Sequence, residues 1–597
     1  MSPRPPPANH PLHPLATRAR VLLSSVFGPY CQDDEYGSRS INPMELYQNQ
    51  VTRLQGGFSL RMFHRSFGLM MIKANIDAPC TLLDFPTLES FTEQIRNQSY
   101  DIIGISGIIA NVGKVAKMCE LIRRYQPGAV IVAGGHIANK EGLDQLISAD
   151  LIVRGEGIRW FQRYLGQDDQ LPIKHPAALS GFGSKVMGLE IGDSPDRTAA
   201  ILIPSVGCPM GCNFCSTSAQ FGGKGQFVNF YETGDELFAV MCGIERELKV
   251  SSFFVLDENF LLHRKRALRL LELMESNEKS WSLSVFSSAR VLKSYTMDQL
   301  MGLGIGFVWM GLEGEESAYD KLKGVDTLDL VNHLQESGIR VLGSSILGLE
   351  DHRPEKLGEI IEYAVRHDTV FHQFMLYTPI PGTPLYEQHK REGSLLPESQ
   401  FPFADAHGQY RFNYRHPHFE DGEEESYLLD AFRRDFEVNG PSLLRLIRVL
   451  LNGWQSHILH PRRVRERLAR EAAPLRSTYA GAVWAMKKYF HQNVQIRKKA
   501  GRLLDDLYAE FGWKTRFVAP LIGRYVFSRL MREEERLAAG QTYEPRSFCE
   551  DNAAALALAR TGATRRRTGR QQTTLPHRPG DMWTGIASGN TAADIFG

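Results

Sequence analysis

Cys208, Cys212 and Cys215 form a C-x3-C-x2-C triplet at the exit of an apolar, strand-like run, Ala200-Ile-Leu-Ile-Pro-Ser-Val-Gly207. Three thiolates on one short loop can hold three irons of a cubane cluster and leave the fourth iron open. An open coordination position separates a catalytic metal site from a closed structural one, whereas a cluster saturated by four cysteines mainly carries electrons. A zinc site is the competing reading, but no Cys or His follows at zinc-knuckle spacing and the next histidine is His263. A disulfide pair fits less well. The chain has 8 cysteines in 597 residues, and Cys31, Cys80, Cys119, Cys242 and Cys549 are scattered, the usage expected of a reducing compartment. Cys119 lies on a helical pattern and reads as a small buried hydrophobe.

The spacing, the preceding strand and Phe214 just before the last cysteine together resemble the signature of the radical SAM superfamily. The resemblance implies a 4Fe-4S cluster on Cys208, Cys212 and Cys215, its open iron chelated by the amino and carboxylate groups of S-adenosylmethionine, with Phe214 beside the cofactor. It further implies reductive cleavage to methionine and a 5′-deoxyadenosyl radical that removes hydrogen from an unactivated carbon. A low-potential donor such as flavodoxin or ferredoxin would deliver the electron.

Such a cluster needs a scaffold, and residues 199–400 supply the pattern of one. After the cysteine loop, helical patterns alternate with the strand-like runs Ser252–Phe260, Trp281–Phe286, Ile305–Glu313, Arg340–Ile346 and Thr369–Met375. With the run that leads into the cysteines these make six units, which predict an open βα barrel with its chemistry at the carboxyl ends of the strands. Asp257-Glu258-Asn259 ends an apolar strand and resembles the acidic element that holds the amino group of S-adenosylmethionine; a solvated turn is the plainer alternative. Ser287 and Arg290 follow the next strand and are candidates for its carboxylate or ribose, since arginine suits bidentate carboxylate recognition. Gly311-Leu312-Glu313, with Lys323-Gly324 beyond, resembles a strand-four element in which Glu313 meets the ribose. Ile346-Leu347-Gly348-Leu349 resembles the adenine-contacting element, with Leu347 the contact. Tyr377 to Tyr386 contains the Pro-Gly-Thr-Pro element that closes such barrels and reads as a rigid turn.

Ahead of the barrel, residues 19–170 alternate short β-branched runs (Arg20–Phe27, Cys80–Phe85, Asp101–Ser106, Ala129–Gly134, Asp150–Arg154) with helical patterns such as Val112–Tyr125. The pattern predicts a doubly wound parallel sheet covered on both faces, with a ligand crevice beyond its strand ends. Those ends carry Ser106-Gly107, Gly134-Gly135-His136 and Gly155-Glu156. Placed just before the cysteine motif, they resemble the cobalamin-binding domain of cobalamin-dependent radical SAM methyltransferases. The Asp-x-His-x-x-Gly that supplies a cobalt ligand in many cobalamin domains is absent, so the resemblance implies a base-off mode without histidine coordination. A degenerate domain that holds no cobalamin is the alternative.

The fold class is therefore α/β: a doubly wound cobalamin-binding-like domain, an open radical SAM barrel and an all-α carboxyl-terminal extension. Residues 1–18 read as a disordered proline-rich leader, 171–198 as a linker, 401–540 as the helical extension and 541–597 as a largely disordered tail, with Arg560–Arg578 basic. Within the extension, Arg411–Glu425 reads as a loop region able to cap the barrel mouth. Leu443–Trp454 and Arg516–Leu530 read as basic amphipathic helices that either lie on an anionic membrane or pack on the barrel. Placed around the mouth, they would suit a lipid-like substrate, although a peptide or small polar metabolite is compatible.

A formal net charge of +1 argues against a chain-wide field for nucleic acid, so no specific nucleic-acid partner is expected. Met1–Pro14 has no apolar core for a signal peptide, and no apolar run reaches the roughly 18 residues of a membrane span. The reading is a cytoplasmic enzyme with room for peripheral contact at the inner membrane face. The favoured reaction is cobalamin-dependent C-methylation of a hydrophobic or lipid-like small molecule. Radical cyclisation or carbon-carbon coupling is the rival within enzymes, and a cobalamin or iron-sulfur sensor is the rival outside them.

Overall fold

The computed structural model describes residues 11–28, 35–36, 45–192, 198–313, 322, 324–541, 543 and 545–552. Cys31, Lys323 and the basic stretch 560–578 lie outside the described residues. The amino-terminal sheet contains β1 (Val21–Ser25), β2 (Cys80–Asp84), β3 (Ile102–Ser106), β4 (Val130–Gly134) and β5 (Leu151–Ile152), paired in parallel in the order β2-β1-β3-β4-β5. Both faces of these strands are apolar because both are covered. Leu22, Ile103 and Ile131 pack with α1 (Val112–Tyr125) on one face, and Leu23, Ile102 and Val132 pack with α2 (Gly157–Tyr164) on the other. Cys119 is fully buried in the first of these layers. The strand order reverses between β1 and β3, the place where a doubly wound sheet opens a crevice.

The second sheet is β6 (Ala200–Leu202), β7 (Ser252–Val255), β8 (Ser282–Phe286), β9 (Ile305–Gly311), β10 (Arg340–Leu347) and β11 (Phe371–Leu376), all parallel and in sequence order. It is an open barrel of six βα units. Residues 47–64 run across its open side. The Tyr47 ring lies 6.1 Å from Phe371 of β11, and His64 lies 6.2 Å from Phe254 of β7. The expected linker 171–198 is partly a sheet, since Phe182–Val186 pairs with Arg61–Phe63 and Leu189–Glu190.

The extension comprises α3 (Glu424–Asn439), α4 (Ser442–Ser456), α5 (Arg462–Ala472), α6 (Thr478–Tyr489) and α7 (Val494–Ala538). Its position differs from the expectation: α4 and α5 pack under the amino-terminal ends of the barrel strands, away from the mouth. Arg445 donates to the carbonyl of Thr369 (2.8 Å), just before β11, while Arg463 and Arg467 donate to those of Gly302 (2.6 Å) and Ile305 (3.3 Å) at the start of β9. Leu443, Leu446, Ile447, Leu450 and Leu451 of α4 are buried, so this helix presents no apolar face to a bilayer. The mouth is covered by residues 401–423 instead. Leu376 N donates to Gly408 O (2.8 Å), and the Phe412 ring packs directly over Gly348. The tail also departs from expectation, because β12 (Phe548–Asp551) pairs antiparallel with β2. Glu550 anchors it through Arg65 (3.0 Å) and Lys73 (3.1 Å).

Candidate functional site

β6 delivers the chain to the cysteine loop at the carboxyl end of the barrel, and the loop is fixed by its own backbone. Ser218 Oγ donates to Cys208 O (2.8 Å), Gly225 N to Pro209 O (2.8 Å) and Ser218 N to Cys215 Sγ (3.4 Å). Gly211 has φ of +68°, and a Cβ there would stand 2.6 Å from the Lys224 Cα, so only glycine lets the two loop arms close. Asn213 O accepts from Leu385 N (3.0 Å) and Asn213 Nδ2 donates to Tyr377 Oη (3.1 Å), tying the loop to the Pro-Gly-Thr-Pro turn. That turn is structural as expected: Thr383 caps the helix Pro384–Glu392 by accepting from Tyr386 N.

All three thiols line a cavity of about 660 Å³ together with Phe214, Glu258, Ser287 and Glu313. Burial, with Cys215, Cys212 and Glu258 close by, pushes the Cys208 thiol up to about 11, so metal ligation there must displace a proton. Among the described residues no three His, Cys, Asp or Glu side chains converge as a single ion requires. A cubane takes each thiolate on a different iron, and three cysteines of one short loop on the lining of one cavity supply three such donors.

The polar wall beside the cysteines separates into paired and unpaired groups. Asp257 is buried and fully engaged, accepting from Ser205 Oγ (2.5 Å), Arg266 Nη2 (2.6 Å) and Asn259 N (3.2 Å). The adjacent Glu258 turns toward the cavity with its Oε2 shielded from solvent and without a hydrogen-bond partner. Burial, aided by the charge of Asp257, pushes its carboxyl up to about 7. An inward carboxylate without a cation is the complement of an ammonium group, so the site fits the amino acid portion of S-adenosylmethionine. Ser287 Oγ donates to Asn259 Oδ1 (3.1 Å) at the same rim. Glu313 is 2% exposed at the end of β9, with φ of 38°.

Two expected cofactor contacts are not brought to this cavity. Arg290 is exposed on the short helix Ala289–Leu292, outside the lining. Leu347 faces away and packs with Phe374 and Phe412 in the core, while its neighbour Ile346 lines the cavity. Successive strand residues point to opposite faces, so a register displaced by one exchanges wall for core.

A second cavity, of about 340 Å³, opens at the carboxyl ends of β3 and β4 and reaches the barrel at Ile203, Val206 and Phe230. Ser106, Gly134, Gly135, His136, Gly155 and Glu156 line it. Gly135 has φ of +82°, and a Cβ there would lie 2.7 Å from Gly107 O and 2.9 Å from Ser106 Oγ. Gly135 thus lets the β4 loop close against the β3 loop, while at Gly134 and Gly155 a Cβ would meet nothing nearer than 3.9 and 3.8 Å, so these two leave bare backbone on the lining, which fits a large ligand lying against the strand ends. Gly107 is not on the lining and serves the backbone, accepting from Ile137 N (3.1 Å) and donating to Gly134 O (3.1 Å). Glu156 lines the cavity with its carboxylate already engaged, capping α2 by accepting from Ile158 N and Arg159 N. His136 lines both cavities. Its Nδ1 is buried without a hydrogen-bond partner, and burial lowers its pKa, leaving a neutral imidazole in the shared wall.

Sequence reasoning missed several lining residues. Ile108 and Ile109, after β3, enter the cysteine cavity from the other domain, and Trp309 stacks on Phe286 at 5.1 Å to form an aromatic wall. Gln50 reaches the cavity from the turn Tyr47–Val51 and accepts from Gln373 Nε2 (3.2 Å), which continues to Ser344 Oγ. Alternation within β9 and β11 could have flagged Trp309 and Gln373. No local pattern marks Gln50.

Residues 58–164 match the B12 binding domain family, a span that includes every strand-end residue of the second cavity's sheet from Gly104 to Glu156. The chain is 24% identical over 352 residues to an uncharacterized methyltransferase of Pyrococcus horikoshii, covering 52% of this chain and 74% of that protein. It is 24% identical over 369 residues to the bacteriochlorophyllide d C-8(2)-methyltransferase of Chlorobaculum tepidum, covering 56% of this chain and 78% of that protein. A solved structure of TsrM, a radical S-adenosylmethionine methyltransferase from Kitasatospora setae with cobalamin and a 4Fe-4S cluster bound, aligns with a TM-score of 0.47 at 14% identity, over 76% of this chain and 99% of that one.

Proposed function

We propose that this chain, a radical SAM enzyme built on a B12-binding domain, methylates an unactivated carbon of a hydrophobic, lipid-like substrate. When bound, the 4Fe-4S cluster, S-adenosylmethionine and cobalamin supply radical formation at carbon and a transferable methyl group. The protein's part is to hold, orient and keep dry. Cys208, Cys212 and Cys215 hold the cluster, Glu258 receives the ammonium of S-adenosylmethionine, and Ser287 and Glu313 take its remaining polar groups beside Phe214. Ser106, Gly134, Gly135 and Gly155 form the cradle for cobalamin. Ile108, Ile109, Phe286, Trp309, Ile346 and Met375 give the cysteine cavity an apolar wall, which orients an apolar substrate and excludes water. The reductant is a low-potential flavodoxin or ferredoxin. Among the described residues no helix is long and apolar enough to cross a membrane, and membrane contact is peripheral.

The observation that carries this reading is the wall at His136, common to the cysteine-lined cavity and to the cavity of the B12-binding domain. Two cofactor sites that share a wall can act on one substrate carbon without releasing it. Anaerobically reconstituted protein, given S-adenosylmethionine with a deuterated methyl group and a cellular lipid extract, should release 5′-deoxyadenosine and shift one lipid species by the mass of the labelled methyl. Release of 5′-deoxyadenosine with an unlabelled product would replace methylation by cyclisation or coupling. Cofactor binding with no consumption of S-adenosylmethionine in the presence of substrate extract and reductant would indicate a sensor.

A further inference from the structure

The basic residues of the helical extension serve two different surroundings, and α7 shows the second. At Gly512, where φ is 75°, α7 breaks and a new helical stretch begins. This stretch packs against α6, with Gly523 against Trp484 and Ile522 against Gly481. Thr515, Ala519, Gly523, Val526 and Leu530 are buried along that contact, and their spacing of three to four residues defines one helix face. On the opposite face Trp513 is 75% exposed, Phe517 68%, Leu521 52% and Tyr525 55%. Single exposed apolar residues are ordinary. Four in a row at i, i+4, i+8 and i+12 form a continuous stripe of the kind that marks an interaction surface.

The charges around the stripe say what it meets. From Phe511 to Arg532 there is no Asp or Glu, while Lys514, Arg516, Arg524, Arg529 and Arg532 are all basic. Arg529 is held by the Gly188 carbonyl (3.0 Å), and the other four are exposed beside the stripe. A second copy of this chain docking face to face would oppose one basic row to another. An anionic bilayer surface accepts both features, with tryptophan and tyrosine at headgroup depth and lysine and arginine on the phosphates.

We propose that the outer face of α7, centred on Trp513, Phe517, Leu521 and Tyr525, docks in the plane of an anionic lipid surface. No residue of α7 is on the lining of the cysteine cavity, so docking is independent of the methylation reading. It would fix the protein at a bilayer through a helix whose stripe residues are not on the lining of the cysteine cavity.

The test uses the full chain and vesicles of phosphatidylcholine with or without phosphatidylglycerol. The protein should sediment with the phosphatidylglycerol vesicles at low salt, with partitioning that falls as salt screens the basic residues. Lipids brominated on the upper acyl chain should quench part of the tryptophan emission, and W513F should remove that part. F517D combined with L521D should lower partitioning by about tenfold or more, and K514E or R524E by about fivefold each on anionic vesicles. Circular dichroism and iron content unchanged in these variants would show that the fold is intact. Y525S, a milder change, should still lower partitioning if the double variant misfolds. The proposal is overturned if wild type stays in the supernatant at low salt, or if folded stripe variants bind vesicles as well as wild type. It is equally overturned if the stripe variants convert a dimer to a monomer without any vesicle binding by wild type.

Discussion

Glu258 at the mouth of the barrel and Glu471 beneath its floor both turn a carboxylate into the protein, and their surroundings are opposite. Glu471 accepts from Ser282 Oγ (2.6 Å) and stands 3.6 Å from Arg467 and 3.4 Å from Arg340. Burial alone would raise its pKa, but the two guanidinium groups outweigh burial and hold its carboxyl below the usual range. Glu258 has no cationic partner among the described residues, so burial prevails and its carboxyl rises to about 7. The difference separates structure from function within one fold. At the floor the protein supplies the counter-charge; at the mouth no cation of the described residues does, which is what the proposed ammonium contact requires.

The largest effect should come from removing the three thiols proposed to hold the cluster. Replacing Cys208, Cys212 and Cys215 together with alanine should abolish the visible iron-sulfur absorption and all cleavage of S-adenosylmethionine, while thermal unfolding of the apoprotein stays near wild type. A full cluster retained in that variant would falsify the assignment of the cavity.

The cysteine triplet was legible in sequence because its chemistry and spacing are local, and the strands were legible because β-branched runs have a short period. What failed was information that only packing supplies. Leu347 and Ile346 are equally apolar neighbours, and register alone decides that Ile346 meets the cavity. Arg290 follows a strand end as a ligand-binding arginine would, yet a short helical turn directs it to solvent. Leu443–Trp454 reads in sequence as able to lie on a membrane, yet its apolar residues are buried, because periodicity identifies a helix face without revealing which end of the barrel covers it. Gln50 was invisible because a long-range fold of residues 47–64 brings it to the site.

Breaking the floor should be the next largest effect, and one of stability rather than chemistry. Arg467 is buried, 2% exposed, among Glu471 and the carbonyls of Gly304 and Ile305. Arg467→Ala leaves Glu471 partly uncompensated and should cost about 3–5 kcal/mol in denaturant unfolding, with cleavage per folded molecule unchanged. Because the folded-state pKa of Glu471 is depressed, its contribution is present above the ordinary glutamate range and is lost as pH falls through the folded value. The same acid titration in Glu471→Gln should show a shallower loss.

Glu258→Gln should do the reverse. It removes a carboxylate whose charged form the folded protein disfavours, so the midpoint of unfolding at pH 8 should not fall. Affinity for S-adenosylmethionine should drop about 10- to 150-fold, the range expected for losing a hydrogen bond to a charged group. In wild type that affinity should rise as pH increases through about 7, because the ammonium ligand binds the ionised carboxylate. Calorimetric titration across pH 6–8 reads the slope, and the variant should flatten it. Equal binding by both proteins would move the ammonium contact elsewhere.

The smallest expected effect lies on the outer face of the same helix that carries Arg467. Arg462 and Arg465 are exposed on α5, and Arg462 pairs with Glu466 (2.9 Å) and, at 4.0 Å, with Glu278. Arg463, one residue along, turns inward to the Gly302 carbonyl and Glu275. Exposed pairs of this kind are worth about 0.2–1 kcal/mol, so Arg462→Glu and Arg465→Glu should each shift stability by about 0.5 kcal/mol or less at moderate salt. They should also leave vesicle binding unchanged, because α5 contributes no part of the α7 stripe. A loss of vesicle binding in these variants, with the fold intact, would move the lipid surface from α7 to α5. A loss of several kcal/mol would instead show that the outer arginines, like Arg467, brace the floor.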